Sequence, residues 1–129
     1  MGLIVLDASV VIAARDRDDA HHDNVTAALR ARDRSADLAV PASAYAEAMV
    51  GPTQRGAAAV RRADALFDEL ARIEPVTRPV AKMAAALRLR GLRLPDALVV
   101  AAGIELDADA VWTTDARWRR FDKRVRVIA

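Results

Sequence analysis

Four acidic residues stand at positions where a carboxylate can do chemistry. Asp7 directly follows a short apolar run, Leu3–Leu6, and Asp115 directly follows another, Ala110-Val111-Trp112-Thr113. Asp96 falls in the first turn of a helix opened by Pro95, and Glu47 sits inside an otherwise apolar stretch, Ala44–Val50. Taken one at a time, each has an ordinary structural role. Asp7 or Asp115 would cap a following helix, Asp96 would complement a helix dipole, and Glu47 would point to solvent. Taken together they suit one cleft. Two carboxylates about 4 Å apart repel by roughly 4 kcal/mol at an effective dielectric near 20, so four of them need a counter-ion. With no cysteine in the chain and no histidine near these acids, the donors are all hard oxygens, which favour Mg²⁺ or Mn²⁺ over zinc. Such an ion activates water and offsets charge developing on a phosphoryl group.

The elements that would position these acids alternate. Leu3–Leu6 reads as a strand buried on both faces, and Asp7-Ala8-Ser9 begins a turn or short helix. Asn24–Ala36 reads as a polar, exposed helix and Asp37–Pro41 as a second strand closed by its proline. A helix over Ala42–Val50 is expected to stop at Gly51-Pro52. Gly56–Ile73 reads as a long amphipathic helix with Val60, Phe67, Leu70 and Ile73 near one face, followed by a weak strand over Ile73–Thr77. Pro79 starts a helix with Val80, Ala84 and Leu87 on one face, ended by Gly91; Pro95 starts the next, over Asp96–Leu106. A strand over Ala110–Thr113, a short helix over Ala116–Phe121 and a strand over Val125–Ile128 complete the chain. The pattern predicts a three-layer α/β/α fold around a mostly parallel sheet of four or five strands. Ligands of such folds bind at the carboxyl ends of the strands, where Asp7 and Asp115 would meet.

Size and composition agree. The chain has 129 residues, enough for one domain spanning 1–129, and is 53% hydrophobic and 29% charged, which is globular. The absence of cysteine excludes disulfides, thiolate metal sites and a cysteine nucleophile, and suits a reducing cytoplasm. No apolar run approaches the roughly 20 residues of a membrane span, and the apolar N-terminus lacks the basic start of a signal peptide. The net charge of +2 does not by itself announce a nucleic-acid binder. All basic residues except Lys82 and Lys123 are arginines, a bias that fits an Ala- and Arg-rich, GC-rich coding sequence. Their placement says more. Between Arg117 and Arg126 six basic residues face a single acid, Asp122, immediately after Asp115, and Arg88, Arg90 and Arg93 precede Asp96. Basic groups beside an acidic metal site are what phosphodiester binding requires. The pair His21-His22 reads as solvent-exposed, since adjacent helix residues point about 100° apart and do not share an ion. Trp112 reads as core, and Trp118 and Phe121 as packing for the last helix.

The sequence resembles the PIN-domain nucleases, and within them the VapC-type toxins of bacterial toxin–antitoxin systems. The likeness rests on Leu6-Asp7-Ala8-Ser9-Val10-Val11-Ile12-Ala13, on Glu47, on Leu94-Pro95-Asp96-Ala97-Leu98-Val99-Val100-Ala101-Ala102 and on Val111-Trp112-Thr113-Thr114-Asp115, in that order over essentially the whole chain. The resemblance implies a metal-dependent endoribonuclease. Asp7 and Asp96 match its principal metal-binding acids, Glu47 and Asp115 the remaining two, and Ser9 and Thr113 the supporting hydroxyls. RNA would meet Arg93, Arg117, Arg119 and Arg120. A VapB-type antitoxin and a homodimer are the implied partners, and the cytoplasm the implied compartment. The chain departs from the pattern at Arg117, where many relatives carry a further acid, and this bears on a second metal ion. Two rival readings keep the fold: a housekeeping RNA-processing nuclease, and a non-catalytic binding module, against which the four acids argue. A phosphoreceiver domain is excluded, because no lysine follows a late strand.

Overall fold

The computed structural model describes residues 2–129. Five strands, β1 (Gly2–Leu6), β2 (Ala36–Pro41), β3 (Arg72–Glu74), β4 (Ala110–Thr113) and β5 (Val125–Val127), form one sheet in the order β3-β2-β1-β4-β5. All four pairings are parallel. Six helices connect them: α1 (Ala8–Arg15), α2 (His22–Ala31), α3 (Ala42–Arg55), α4 (Ala57–Leu70), α5 (Arg78–Leu89) and α6 (Leu94–Glu105), with a short 3₁₀ helix at Ala116–Arg120. No helix among the described residues is long and apolar enough to cross a membrane.

The topology places the site. From β1 the chain moves outward through β2 to β3, then crosses back over β1 to β4 and on to β5. Right-handed crossovers in opposite directions put α1–α4 on one face and α5–α6 on the other. The direction reverses between β1 and β4, and in parallel sheets that reversal opens a crevice at the carboxyl ends of the two strands. Asp7 ends β1 there, and the Thr113–Asp115 segment ends β4.

Burial explains why the strands read as continuous apolar runs. Val5, Leu6, Val40, Val111 and Trp112 are buried between the helical layers. In α5 the buried residues are Val80, Ala84 and Leu87, the face the spacing predicts. Within α6, Gly103 lies so close to β4 that an added Cβ would overlap the Val111 side chain, so the helix seats directly on the sheet.

Several expected boundaries move. The second helix is His22–Ala31, not Asn24–Ala36. Asp33 Oδ1 takes hydrogen bonds from the backbone N–H of Ser35 (2.9 Å) and its hydroxyl (2.8 Å), turning the chain before β2 starts at Ala36. The third helix does not stop at Gly51-Pro52; it runs to Arg55 with Pro52 inside and buried, so packing offsets the missing hydrogen bond. The break comes at Gly56, whose φ of 108° ends α3 and opens α4. The fourth helix ends at Leu70, and its buried face is Ala59, Ala63 and Phe67; Val60 and Leu70 are half-buried, and Ile73 belongs to β3. That strand is Arg72–Glu74 instead of Ile73–Thr77. The sixth helix starts two residues early, at Leu94, and β5 ends at Val127.

Candidate active site

Asp7 is 7% exposed and is held from two sides of the crevice. Its Oδ2 accepts the Ser9 hydroxyl at 2.7 Å and the Thr113 hydroxyl at 3.1 Å. It makes no side-chain cap to α1, so the helix-capping alternative is not what the structure shows. Ser9 Oγ in turn accepts the Thr114 backbone N–H at 3.1 Å, and Thr113 Oγ1 accepts that of Asp115 at 3.2 Å. The start of α1 and the end of β4 are therefore tied through two hydroxyls that converge on one carboxylate. Thr113 is fully buried. Thr113→Val keeps its shape but removes a donor to a buried acid and leaves the Asp115 N–H unpaired. The expected loss is about 1–3 kcal/mol of unfolding free energy in urea titration, whereas the surface substitution Arg61→Ala is expected to lie within about 0.5 kcal/mol.

Asp96 and Glu47 complete a shared electrostatic environment. Asp96 lies in the first turn of α6, behind Pro95. Its carboxyl is pushed up first by burial and then by Asp7, with Arg93 and Arg117 pulling the other way. Glu47 lies on the exposed side of α3, in spite of its apolar neighbours in sequence. It too is raised, by desolvation and then by the charges on Asp7 and Asp96, with Arg93 opposing. Asp7 is raised by burial against the lowering effect of its Ser9 and Thr113 hydrogen bonds. Three carboxyls thus resist ionisation in one place.

Raised acids bind protons more tightly folded than unfolded. Their stabilising effect is present below the ordinary carboxylate pKa of about 4 and is lost as pH rises through the higher folded values. In chelator-treated protein, the Tm of wild type relative to Asp96→Asn is expected to rise as pH falls from 7 to about 5. Wild type falling further below Asp96→Asn on acidification would contradict this placement of the acids.

Asp115 behaves differently. Arg117, two residues on, donates its backbone N–H to Oδ1 at 2.9 Å, its Nε to Oδ1 at 3.0 Å and to Oδ2 at 3.2 Å, and its Nη2 to Oδ2 at 2.7 Å. This pairing holds the Asp115 carboxyl below its ordinary value. Sequence reasoning assigned Arg117 to RNA and Asp115 to metal without seeing that each engages the other. The two-residue spacing of opposite charges was the available signal.

The basic segment divides by role. Arg124 is a structural residue, bonded to the Ala108 carbonyl at 3.1 Å and to Asp107 at 3.0 Å, beside Asp122. Arg126 lies over the Trp112 ring, 5.0 Å from its centroid. Arg93, Arg117 and Arg120, with Asp96 and Asp115, line a cleft of about 200 Å³ floored by Trp118 and Phe121. Arg120 stacks on Phe121 at 4.2 Å. Trp118 and Phe121 are buried, as their expected packing role requires. Arg119 is exposed and does not line the cleft. His21 and His22 are half-buried rather than exposed, and a His22 ring nitrogen lies 2.7 Å from the Ala13 carbonyl, which ties α1 to α2.

Among the described residues no three Asp, Glu or His side chains are gathered to ligating distance of one point. Asp7 acts electrostatically on both Glu47 and Asp96, while Asp115 is turned to Arg117. In donor type the set fits a hard divalent ion: carboxylates and hydroxyls, with no sulfur or imidazole.

A doubly flanked parallel sheet with carboxylates at its β1/β4 reversal defines a class of small α/β proteins with an acidic crevice. The sequence profile of the PIN domain matches residues 4–124, and the chain belongs to that family. Three solved structures show the same fold at low identity. The VapC20 toxin of Mycobacterium tuberculosis, described as cleaving the sarcin–ricin loop, is 19% identical with a TM-score of 0.75, covering 91% of this chain and 93% of its own. A toxin–antitoxin complex from Klebsiella pneumoniae gives 19% identity and a TM-score of 0.80, with 98% of each chain covered. VapBC2 of Rickettsia felis, solved with a promoter DNA fragment, gives 13% identity and a TM-score of 0.71, covering 98% of this chain and 99% of its own. Comparison with curated protein sequences finds no match.

Proposed function

We propose that this protein is a Mg²⁺- or Mn²⁺-dependent endoribonuclease acting as the toxin of a toxin–antitoxin pair. The observation that carries the reading is the buried Asp7, held by the Ser9 and Thr113 hydroxyls, whose charge adds to the burial that raises Glu47 and Asp96, with Asp96 in a cleft that Arg93, Arg117 and Arg120 also line. Titratable groups shifted by burial and by a neighbouring charge cluster at functional sites. Asp7, Asp96 and Glu47 would hold the ion. When bound, it would neutralise charge developing on the phosphoryl oxygens and acidify a water molecule.

The chain's own residues do the rest. Ser9 and Thr113 fix the rotamer of Asp7, so one oxygen is committed to them and the other is left for the cleft. Arg93 and Arg120 offer guanidinium groups to the phosphates on either side of the scissile bond. Arg119, on the outer side of the 3₁₀ helix, is placed to meet a longer strand. Glu47, the more exposed acid, is the one best placed to orient water. That solved relatives of this fold include toxin–antitoxin complexes supports an antitoxin partner for this chain. The exposed Val50 and Leu66 supply apolar surface for that partner or for a second copy in a homodimer.

The test is cleavage of total cellular RNA by purified protein with Mg²⁺, with Mn²⁺ and with chelator. Discrete cuts that require the metal are expected. Intact RNA with both metals, at stoichiometric enzyme and with antitoxin excluded, would favour the binding-module reading.

A further inference from the structure

We infer that Arg90 and Arg120, both laid over the ring of Phe121, form a two-cation grip for the RNA backbone next to the scissile phosphate. The inference rests on the nuclease reading above and adds Arg90 to its substrate-binding surface. The turn that joins α5 to α6 builds the grip. Leu92 donates its backbone N–H to the Leu87 carbonyl (3.3 Å) and Gly91 donates to that of Arg88 (3.0 Å), a Schellman-type end to α5 with Gly91 at a φ of 106°. This turn carries Arg90 to the edge of the cleft that Gly91 lines with Asp96 and Phe121. The guanidinium carbon of Arg120 lies 4.2 Å from the Phe121 centroid, and that of Arg90 lies 5.8 Å from it. Gly91 leaves room for this arrangement, because a Cβ there would come within 3.2 Å of Arg120 Nη2.

Stacking orients these two arginines without using them up. A guanidinium carries five N–H donors around its edge, and an aromatic ring beneath its face engages none of them. Among the described residues, neither arginine has a carboxylate within ion-pair distance. Arg90 spends one donor, a long hydrogen bond from Nη1 to the Phe121 carbonyl at 3.4 Å. Arg117 and Arg124 are the opposite case, with their donors committed to Asp115, to Asp107 and to the Ala108 carbonyl. The stacked pair is thus two fixed like charges whose counter-charge has to come from outside the chain. A phosphodiester backbone supplies it, and guanidinium forks suit its oxygens. Phe121 acts as a positioning residue: it holds both cations beside the cleft where Asp96 and Arg93 stand.

The measurement is binding of a short, fluorescein-labelled single-stranded RNA in chelator, followed by anisotropy over a salt series. Chelator separates the grip from the ion and from cleavage. The proteins are the wild type, Arg90→Gln, Arg120→Gln, their double variant, and Phe121→Leu alone and in the double background, each checked for folding by circular dichroism. Arg61→Gln, on the exposed face of α4, is the control. Each phosphate contact to a single strand contributes about 0.7 to the slope of log affinity against log salt. Arg90→Gln and Arg120→Gln are each expected to flatten the slope by about 0.7 and to weaken binding about fivefold near 0.1 M salt, while Arg61→Gln leaves both unchanged. Phe121→Leu keeps both charges and removes their platform. It is expected to weaken binding about threefold in the wild type and not at all in the double variant, a coupling that lost packing alone does not produce. If Phe121→Leu fails to fold, the arginine slopes decide alone. A wild-type slope in either arginine variant, or a Phe121→Leu effect that persists without the arginines, would overturn the inference; metal-dependent cutting by the wild type would still uphold the nuclease reading. A wild type that binds no RNA at any salt would also overturn it, and the nuclease reading falls with it only if cutting is absent as well.

Discussion

Asp96→Asn is expected to lower the single-turnover rate of RNA cleavage by about 10³-fold, ~4 kcal/mol of transition-state stabilisation, and to leave the fold intact. Asparagine keeps the size and one oxygen of the side chain but loses the charge. The loss matters twice. One anionic donor to the ion disappears, and the balance that sets Glu47 changes, because Asp96 is among the charges that raise it. The same substitution removes like-charge repulsion from metal-free protein, so its Tm at pH 7 is expected to equal or exceed that of wild type. Loss of rate together with retained stability separates a chemical role from a structural one. A rate within tenfold of wild type would show that Asp96 is not part of the reacting set.

Trp112→Ala is expected to cost about 3–5 kcal/mol of folding free energy. Trp112 is 1% exposed in the interior strand β4, in register with Leu6 on one side and Arg126 on the other. Removing the ring opens a cavity between the central strands and a face of helices, just before the Thr113 hydroxyl that holds Asp7. Small domains have only about 5–15 kcal/mol in total, so the expected drop in Tm is roughly 10–20 °C. Trp112→Phe is the informative companion. The indole N–H of Trp112 is buried with no hydrogen-bond partner, so losing it removes nothing favourable, and a cost below about 1.5 kcal/mol is expected. Equal costs for the two variants in urea titration would show that ring volume is not what the site of Trp112 requires.

Much of this arrangement was legible in the sequence because it depends on local signals. The apolar runs before Asp7 and Asp115, the spacing of Val80, Ala84 and Leu87, and Pro95 ahead of Asp96 each carry their own periodicity or punctuation. The structure puts the strand ends that carry Asp7 and Asp115 at one edge of a parallel sheet, as the alternating pattern placed them; the strand order, and with it the reversal between β1 and β4, was not legible. What the sequence did not show is what tertiary contacts decide. Pro52 is a stop signal on its own, and only its burial lets α3 continue past it. The helical composition of residues 32–35 was overridden by a turn that Asp33 closes on Ser35. Ile73 fits an amphipathic helix by spacing, yet pairs with Val40 as a strand residue. In the site, the acids were visible as residues, but the hydroxyl ties from Ser9 and Thr113 link positions more than a hundred residues apart. The Asp115–Arg117 fork was half-legible: the capping role open to Asp115 is borne out through the Arg117 N–H, while the side-chain pairing had only the two-residue spacing of opposite charges as its sign.

In the proposed reaction an ion held by the acids would act on the scissile phosphate of RNA. Once a cut site is mapped, the most direct measurement is cleavage of a short substrate with one non-bridging oxygen of that phosphate replaced by sulfur. Mg²⁺ ligates sulfur poorly and Mn²⁺ accepts it better. Slowing of at least about tenfold in Mg²⁺, substantially restored by Mn²⁺, is the predicted result for an ion in direct contact with that phosphate. Cleavage that proceeds at the all-oxygen rate in Mg²⁺, or that continues in chelator, would contradict it.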